Sequence, residues 1–264
     1  MMSLPRIVAV FAFATLSLSS LFSQQTSAKP QAQHPTGTMV LNFGPTESNP
    51  EGKAAAEKLL QALGGATEVN AVRSLRQTLI ALRQGQKIDT EQTIVYPNKQ
   101  AQTVTLPQGR VTMVVTPTTA FIARENQVQG LPPNQRAAFD ATLKHDFINV
   151  LQHINDPKYV FVALGQEKVR GLEATIVDVE ADGVPTRWWI GADGKLLQER
   201  YSDMAQGGGA MQTMIYLDWK NFGGLKYPTR YQMTQPGQPG MTMTLTAMEV
   251  NATVNPTVFE MPTQ

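Results

Sequence analysis

The sequence contains no cysteine among its 264 residues. Disulfides are therefore excluded, and the fold must be stable through its packed core alone. The same absence excludes a lipid anchor attached through cysteine. The balance of 42% hydrophobic and 16% charged residues is that of an ordinary globular protein, for which one folded domain is the expectation.

The sequence also lacks the short motifs of several large enzyme classes. It has no GxSxG nucleophile motif, no HExxH zinc motif, no P-loop, no GxGxxG after a predicted strand and no CxxC. Histidine is scarce: His34 lies in a proline-rich segment, while His145 and His153 are eight residues apart in one predicted helix. That spacing spans roughly 12 Å, too far for one metal ion. We therefore expect structural or solvated histidines, with no metal and no cofactor.

Acidic residues are scattered through turns and polar strand faces. A hydrolase with paired carboxylates stays an alternative, because acids from different strands can meet in a fold. The candidates for such a pair are Glu173, Asp178, Glu199, Asp203 and Asp218. We expect turn formers and solvated charges instead, and hence a protein that is not an enzyme.

No charge of either sign dominates the sequence. The formal net charge is +1 at pH 7, and residues 1–28 contain Arg6 but no acid, so the remainder carries 21 basic and 21 acidic side chains. A nucleic-acid-binding domain is expected to show a basic stripe. None is visible, so we expect no nucleic-acid partner.

The first 50 residues form two segments ahead of the fold. Residues 1–28 combine Arg6, an apolar run over 7–22 and small residues at 26–28, the pattern of a secretory signal peptide. Residues 29–50 contain four prolines among polar residues, which indicates a flexible linker. We predict a signal peptide (1–28), a linker (29–50) and a single domain (51–264) exported to the periplasm. An uncleaved membrane anchor is the alternative to cleavage.

From residue 51 the pattern predicts few helices and many strands. Residues 51–63 are rich in alanine and leucine and end in glycines, and residues 132–154 carry apolar side chains at helical spacing after two prolines. A short helical turn is expected over 67–72. Elsewhere apolar and polar residues alternate between turn-forming residues. The prediction is a mainly β (α+β) fold, one large curved antiparallel sheet of about 11–12 strands with about two or three helices.

Two of the three tryptophans are adjacent, in the segment RWWIGADGKLLQERY at 187–201. On a strand, Trp188 and Trp189 must point to opposite faces, so they cannot form one aromatic platform for a sugar. Apolar residues on both faces of this and other strands predict a sheet that is covered on both sides. One ring should face the helices and the other a cavity. Which ring does which is left open, because a single bulge would exchange them.

A curled sheet whose other face is covered by helices would enclose a cavity. Methionines concentrate in the predicted strands, and their flexible thioethers suit a pocket for varied apolar shapes, although core filling would use them equally well. The predicted lining residues of this hydrophobic cavity are Leu82, Val95, Val114, Phe121, Trp188, Ile190, Met214, Tyr216 and Met243.

Several segments together resemble one known family. They are the ALGG helix end, the SLRQT strand, the TIVYPNKQAQTVTLPQG meander, the ALGQEKVRGLEATIVDV strand pair, the RWWIGADG turn and the YLDWKNFGGLKYPTRYQM hairpin. Over residues 51–262 the chain resembles the LolA-like outer-membrane lipoprotein-sorting superfamily. More narrowly, it is similar to exported domains of that type that also occur attached to zinc-peptidase-like chains.

The resemblance implies an unclosed antiparallel barrel around a hydrophobic cavity, with helices acting as a lid. It also implies a periplasmic carrier or sensor that holds acyl chains of lipoproteins or lipids, and it brings no catalytic residues. The leading hypothesis is therefore an exported, non-enzymatic binding protein for an acyl chain. The alternative is a structural or interaction module whose core is filled by its own side chains and whose partner is another cell-envelope protein.

Overall fold

The structure is a computed structural model, and it describes residues 47–125, 127–203 and 210–262. The predicted signal peptide and residues 29–46 of the predicted linker lie outside the described residues. Within those residues, none of the helices has the length and apolarity needed to cross a membrane.

The described chain forms four α-helices and thirteen strands. The helices are α1 (Pro50–Ala62), α2 (Gly65–Ala71), α3 (Pro133–His145) and α4 (Phe147–Gln152), and a 3-10 helix covers Pro256–Phe259. The strands are β1 (Ser74–Arg83), β2 (Gln86–Val95), β3 (Lys99–Leu106), β4 (Gly109–Val115), β5 (Ala120–Arg124), β6 (Gln127–Gly130), β7 (Tyr159–Val169), β8 (Leu172–Ala181), β9 (Val184–Gly191), β10 (Leu196–Asp203), β11 (Ala210–Phe222), β12 (Leu225–Thr234) and β13 (Met241–Val250).

All thirteen strands belong to one sheet, and every neighbouring pair is antiparallel. The strand order is β6-β5-β4-β3-β2-β1-β13-β12-β11-β10-β9-β8-β7, so β6 and β7 are the edge strands and the sheet does not close. The predicted mainly β architecture is confirmed. The strand missing from the sequence-based count is β6, whose segment QVQG shows no apolar alternation.

The sheet curves strongly around its core. Strands β4 and β9 are eight strand spacings apart in the sheet, which would be about 38 Å if it were flat. Helix α3 has 13 residues and is about 20 Å long, yet it contacts both strands. The two halves of the sheet must therefore curl toward one another around the helices.

One large apolar core fills the space between the sheet and the helices. We call the sheet face that bears Trp188 the inner face, and the opposite face the outer face. Leu59 of α1 and Ile148 of α4 pack into the same core as Trp188 and residues from most strands. The helices therefore lie on the inner face and fill the curl of the sheet.

The outer face differs from the sequence expectation of a second apolar surface. Most of it carries exposed charged pairs, such as Arg76 with Glu249. Among the described residues, two small apolar clusters are buried there: Ala101, Val114 and Phe121 beside Phe259 of the 3-10 helix, and Val169, Ala174 and Trp189. The expectation of helices on one face and a cavity on the other is wrong, because the helices and the interior share the inner face.

Helix α1 is held against the edge strand β7 by the residues that begin it. The Asn49 side chain caps the helix by accepting from Gly52 N at 2.7 Å, and Asn49 also exchanges hydrogen bonds with the backbone of Phe161 and Ala163. Ser48 Oγ accepts from Phe161 N at 2.9 Å. These contacts provide hydrogen-bond partners for backbone N–H and C=O groups at the edge of β7, which would otherwise be unpaired.

The predicted long helix over 132–154 is broken into α3 and α4 at Asp146. This residue has an extended backbone, with φ −52° and ψ 126°, and its side chain accepts hydrogen bonds from the N–H groups of Ile148 and Asn149. Aspartate is a favoured N-cap because it satisfies backbone donors at a helix start. His145 and His153 therefore do not share one helix face.

Candidate functional site

A buried carboxylate, Glu199, organises the polar groups of the inner face. The residue is 3% exposed, and its Oε1 atom lies 3.3 Å from Nδ1 of His145. The same oxygen accepts from Thr186 Oγ1 at 3.1 Å and from Trp188 Nε1 at 3.4 Å, and Oε2 accepts from the Tyr216 hydroxyl at 2.8 Å. Four partners from two strands and one helix thus compensate the burial of this carboxylate.

The strand register explains why these side chains converge. Glu199 on β10 is directly opposite Trp188 on β9 and Met214 on β11, so all three point to the inner face. His145 is the last residue of α3 and contacts Glu199 from the helix side of the inner face. The centroid of its ring is 4.3 Å from that of the Tyr201 ring. The contact between His145 and Glu199 therefore fastens the end of α3 to the sheet.

A second polar contact fastens α4. The Tyr96 hydroxyl donates to Asp146 Oδ1 at 2.9 Å, and the same carboxylate caps α4. Burial raises the pKa of Asp146 to about 6, while hydrogen bonds from Tyr96 and the Asn149 N–H oppose that rise. Asp146 therefore exchanges its proton near neutral pH, in contact with the helix start that it caps.

A small cavity lies between these two contacts. Its volume is about 50 Å³, and its lining residues are Thr142, His145, Asp146, Phe147, Glu199, Tyr201, Met214, Tyr216, Tyr227, Pro228 and Tyr231. Burial, followed by the charge of Glu199, raises the pKa of the Tyr216 hydroxyl well above its usual value. Burial likewise raises the pKa of Tyr227 well above its usual value. The hydroxyls of Tyr216 and Tyr227 are therefore protonated at neutral pH.

A larger groove runs between α1 and the strands β7, β8 and β9. It encloses about 500 Å³, within the range of about 300–1,000 Å³ that is typical of small-molecule sites. Its lining consists mainly of small or apolar residues, with Glu51 and Lys58 on the helix side: Glu51, Ala54, Ala55, Lys58, Ala163, Gly165, Gln166, Thr175, Ile190 and Gly191. The groove is therefore large enough for a small ligand, and most of its lining is small or apolar.

The nine predicted lining residues divide between the two faces. Trp188, Ile190, Met214, Tyr216 and Met243 belong to the inner core. Only Met214 and Tyr216 line the small cavity, and only Ile190 lines the groove. Whether any of them contacts a ligand stays a prediction.

The other four predicted lining residues lie on the outer face. Val114 and Phe121 are buried there beneath the 3-10 helix, Val95 is half-buried, and Leu82 is 49% exposed. Their strand neighbours Ile94, Met113 and Ala81 occupy the inner face instead. The assignment of these four to the interior is corrected, because alternation separates the two faces but does not say which of them is enclosed.

Among the described acids considered for a hydrolytic pair, the two buried ones, Asp178 and Glu199, lie on opposite faces of the sheet. Asp178 faces outward and accepts both a 2.5 Å and a 3.0 Å hydrogen bond from Arg187, while Glu199 faces inward. Glu173 pairs with Lys168, and Asp218 pairs with Arg230. The side chain of Asp203 lies outside the described residues. Across the described ranges, no group of three or more His, Asp or Glu side chains could hold a metal ion.

Sequence reasoning missed the groove and the convergence on Glu199. The groove is formed by Ala54, Ala163, Gly165 and other small residues, which carry no pattern that distinguishes them from packing residues. Glu199 and His145 were each recognised, but 54 residues separate them in the chain. A single glutamate between apolar positions of a strand, LLQERY, is the one signal that pointed to a buried acid.

No family model matches the chain, and no curated protein matches it at a significant level. Solved structures do share its fold. It is similar to a LolA superfamily protein of Nitrosomonas europaea, with a TM-score of 0.51 and 10% identity over 78% of this chain and 97% of that one. It is equally similar to a DUF1329 family protein of Desulfovibrio piger, with a TM-score of 0.51 and 10% identity over 79% and 97% of the two chains. The chain therefore has a LolA-like fold.

Proposed function

We propose that this protein is an exported, non-enzymatic binding protein that holds the acyl chain of a lipid or lipoprotein between its sheet and its helices. The groove beneath α1 carries this proposal. Its volume is about 500 Å³, its walls are mainly small or apolar residues, and its lining includes Ile190, which also belongs to the inner core. The LolA-like fold supports the same conclusion, since the family resemblance implies an acyl-chain carrier of the periplasm.

The energetics of such binding need no charged anchor. Each buried methylene contributes about 0.8 kcal/mol, so a chain of about ten methylenes supplies about 8 kcal/mol before the costs of association. Lys58 at the groove is exposed, and none of the described lysines or arginines is buried, so the buried interior offers no cation for a headgroup. The acyl chain, and not an anionic headgroup, is the part of the ligand that this interior suits.

Filling the groove tests the proposal. Ala54 is an exposed groove residue on α1, so Ala54→Phe should occupy the groove without disturbing the core. Ala66→Phe makes the same change at an exposed position of α2 that does not line the groove. The affinity for a fluorescent fatty-acid analogue should fall about tenfold or more in Ala54→Phe and stay unchanged in Ala66→Phe. Equal affinities of the wild-type protein and the two variants would show that the groove is not the acyl-chain site.

Native mass spectrometry of the protein purified gently from its own compartment supplies the second test. Extra mass that matches a lipid and is displaced by detergent would support carriage. Protein that carries no extra mass and also fails to bind added lipids would overturn the proposal.

The tight packing of the interior favours a second candidate function, an interaction module of the cell envelope. The described cavity among the polar residues of the inner face is only about 50 Å³, too small for an acyl chain. In a self-filled core, Met214→Trp at this cavity should lower the free energy of unfolding, as overpacking generally does. In a carrier whose helices move apart, the same change should mainly weaken lipid binding. Unfolding and binding measurements on this one variant separate the two functions.

A further inference from the structure

Three glutamines form a row across the inner face of the sheet. Gln77 on β1 is directly opposite Gln92 on β2, which is directly opposite Gln102 on β3. They are 2%, 1% and 8% exposed, respectively. Inner-face residues precede and follow each of them at alternate positions, such as Ile94 on β2 and Val104 on β3, so the three side chains point into the core.

A fourth glutamine extends the row along β3. Gln100 is two residues from Gln102, shares its face and is 1% exposed. Both amide atoms of Gln92 and of Gln100, and the Oε1 atom of Gln102, have no hydrogen-bond partner among the described residues. We call Gln92, Gln100 and Gln102 the amide row. It presents three unpaired acceptors and two unpaired donor groups to the interior.

Unpaired buried amides are unfavourable and therefore informative. Leaving a buried donor or acceptor without a partner costs about 1–3 kcal/mol, and most buried polar groups in proteins are paired. A single unpaired polar atom can hydrogen-bond to one buried water molecule. Five atoms on three neighbouring side chains present donors and acceptors together, and a ligand group bearing one donor and one acceptor can pair with up to three of them.

The charge of the surroundings narrows the ligand class. None of the described lysines or arginines is buried, so a carboxylate or a phosphate at the amide row would be desolvated without a cation beside it. The complementary group is therefore neutral. An ester supplies acceptors only, whereas a secondary amide supplies a C=O for glutamine Nε2 and an N–H for glutamine Oε1.

We propose that the amide row is the recognition site for the amide group of an amide-linked acyl chain. This inference rests on the proposed acyl-chain binding and names the chemical class of its ligand. Gln77, next in the row, hydrogen-bonds to Tyr227, which lines the small cavity beside Glu199. Gln77 and Tyr227 thus connect the amide row to Glu199 and Asp146, which hold α3 and α4 against the sheet. A ligand reaches the amide row when the helices move away from the inner face.

Three probes with the same acyl chain test the inference: N-methyldodecanamide, methyl dodecanoate and dodecanoic acid. Each is titrated into the purified protein after prolonged incubation, with tryptophan fluorescence and calorimetry as the readouts. The wild-type protein should bind the amide about tenfold more tightly than the ester, because the amide N–H donates one additional hydrogen bond to a buried acceptor that the ester leaves unpaired. The free acid should bind no more tightly than the ester.

Glutamine-to-methionine variants test whether the amide row causes the preference for the amide over the ester. Gln92→Met and Gln100→Met each keep the side-chain length and remove one of the unpaired amides, so each should fold stably and reduce the preference for the amide over the ester. Gln129→Met makes the same change at an exposed position of β6 and should keep the wild-type preference.

The outcomes separate this inference from the proposed function. Equal affinity of the wild-type protein for amide and ester, or an unchanged preference in both Gln92→Met and Gln100→Met, would overturn the amide site while acyl-chain binding stands. No binding of any of the three probes would overturn both.

Discussion

The Tyr216 hydroxyl donates a 2.8 Å hydrogen bond to Oε2 of Glu199, and both side chains are buried on the inner face. The other carboxylate oxygen contacts His145, the last residue of α3. The bond between Tyr216 and Glu199 therefore orients the carboxylate that holds a helix against the sheet. Closure of the interior depends on this polar contact as well as on apolar packing.

Glu199→Gln should lower the free energy of unfolding by about 3 kcal/mol. The amide has a single oxygen to meet four neighbouring groups, and its NH₂ is placed against donors, so the buried partners lose hydrogen bonds. Glu249→Gln makes the same change in the exposed pair with Arg76 and should cost less than about 1 kcal/mol. Urea denaturation of both variants measures the difference. Similar small losses in the two would show that the Glu199 cluster contributes little to stability.

Tyr216→Phe should destabilise the protein by about 1–3 kcal/mol, because Oε2 of Glu199 loses its partner inside the core. Tyr231→Phe is the matched control, a buried tyrosine of the same cavity that is not among the hydrogen-bond partners of Glu199. It should cost less than about 1 kcal/mol. Combining Tyr216→Phe with Glu199→Gln should give less than the sum of the two effects, since both remove the same bond.

Gly52→Ala should destabilise the protein although alanine is the better helix former. A Cβ atom at Gly52 would lie 2.4 Å from the Phe161 carbonyl oxygen and 2.7 Å from Ala163 N, so α1 would have to move away from β7. The expected loss is about 1–3 kcal/mol, with faster hydrogen exchange in α1. Gly130→Ala, where a Cβ atom meets nothing within 4 Å, is the control. If both variants unfold at the same denaturant concentration, the close approach of α1 to β7 is not tight.

The strand pattern was predictable because alternation is a local property. Trp188 and Trp189 are adjacent on β9 and were expected on opposite faces; the structure places Trp188 in the inner core and Trp189 in a small outer cluster. Which ring was enclosed could not be predicted. Leu82 and Val114 were assigned to the interior on the same alternation, and they lie outside because enclosure depends on how the whole sheet curls.

The features that give the interior its chemistry depend on contacts between distant parts of the chain. Gln92 and Gln102 read as ordinary polar strand residues, and only the register of β1, β2 and β3 places them side by side in the core. The helix break at Asp146 could have been predicted from the local sequence, since aspartate starts helices more readily than it continues them. The apolar periodicity on both sides of Asp146 outweighed that signal.

The pKa of Asp146 makes its contribution to stability depend on pH. Burial raises the pKa to about 6 in the folded protein, above the ordinary value of 3.8. The folded state therefore binds the proton more tightly than the unfolded state does, and stability is lost as the pH rises from about 4 to about 6. Above this range the folded protein carries a desolvated carboxylate against the start of α4.

Asp146→Asn should remove this pH dependence while keeping the structure around it. Asparagine is an equally good N-cap, and its side-chain oxygen can still accept from the Tyr96 hydroxyl. The variant should gain about 1–3 kcal/mol relative to the wild-type protein between pH 4 and pH 6, and the difference should level off above about pH 7. Urea denaturation at half-unit pH steps measures it. Asp89→Asn removes an exposed carboxylate with the same change in formal charge. If Asp89→Asn reproduces the pH profile of Asp146→Asn, net charge and not burial at Asp146 is the cause.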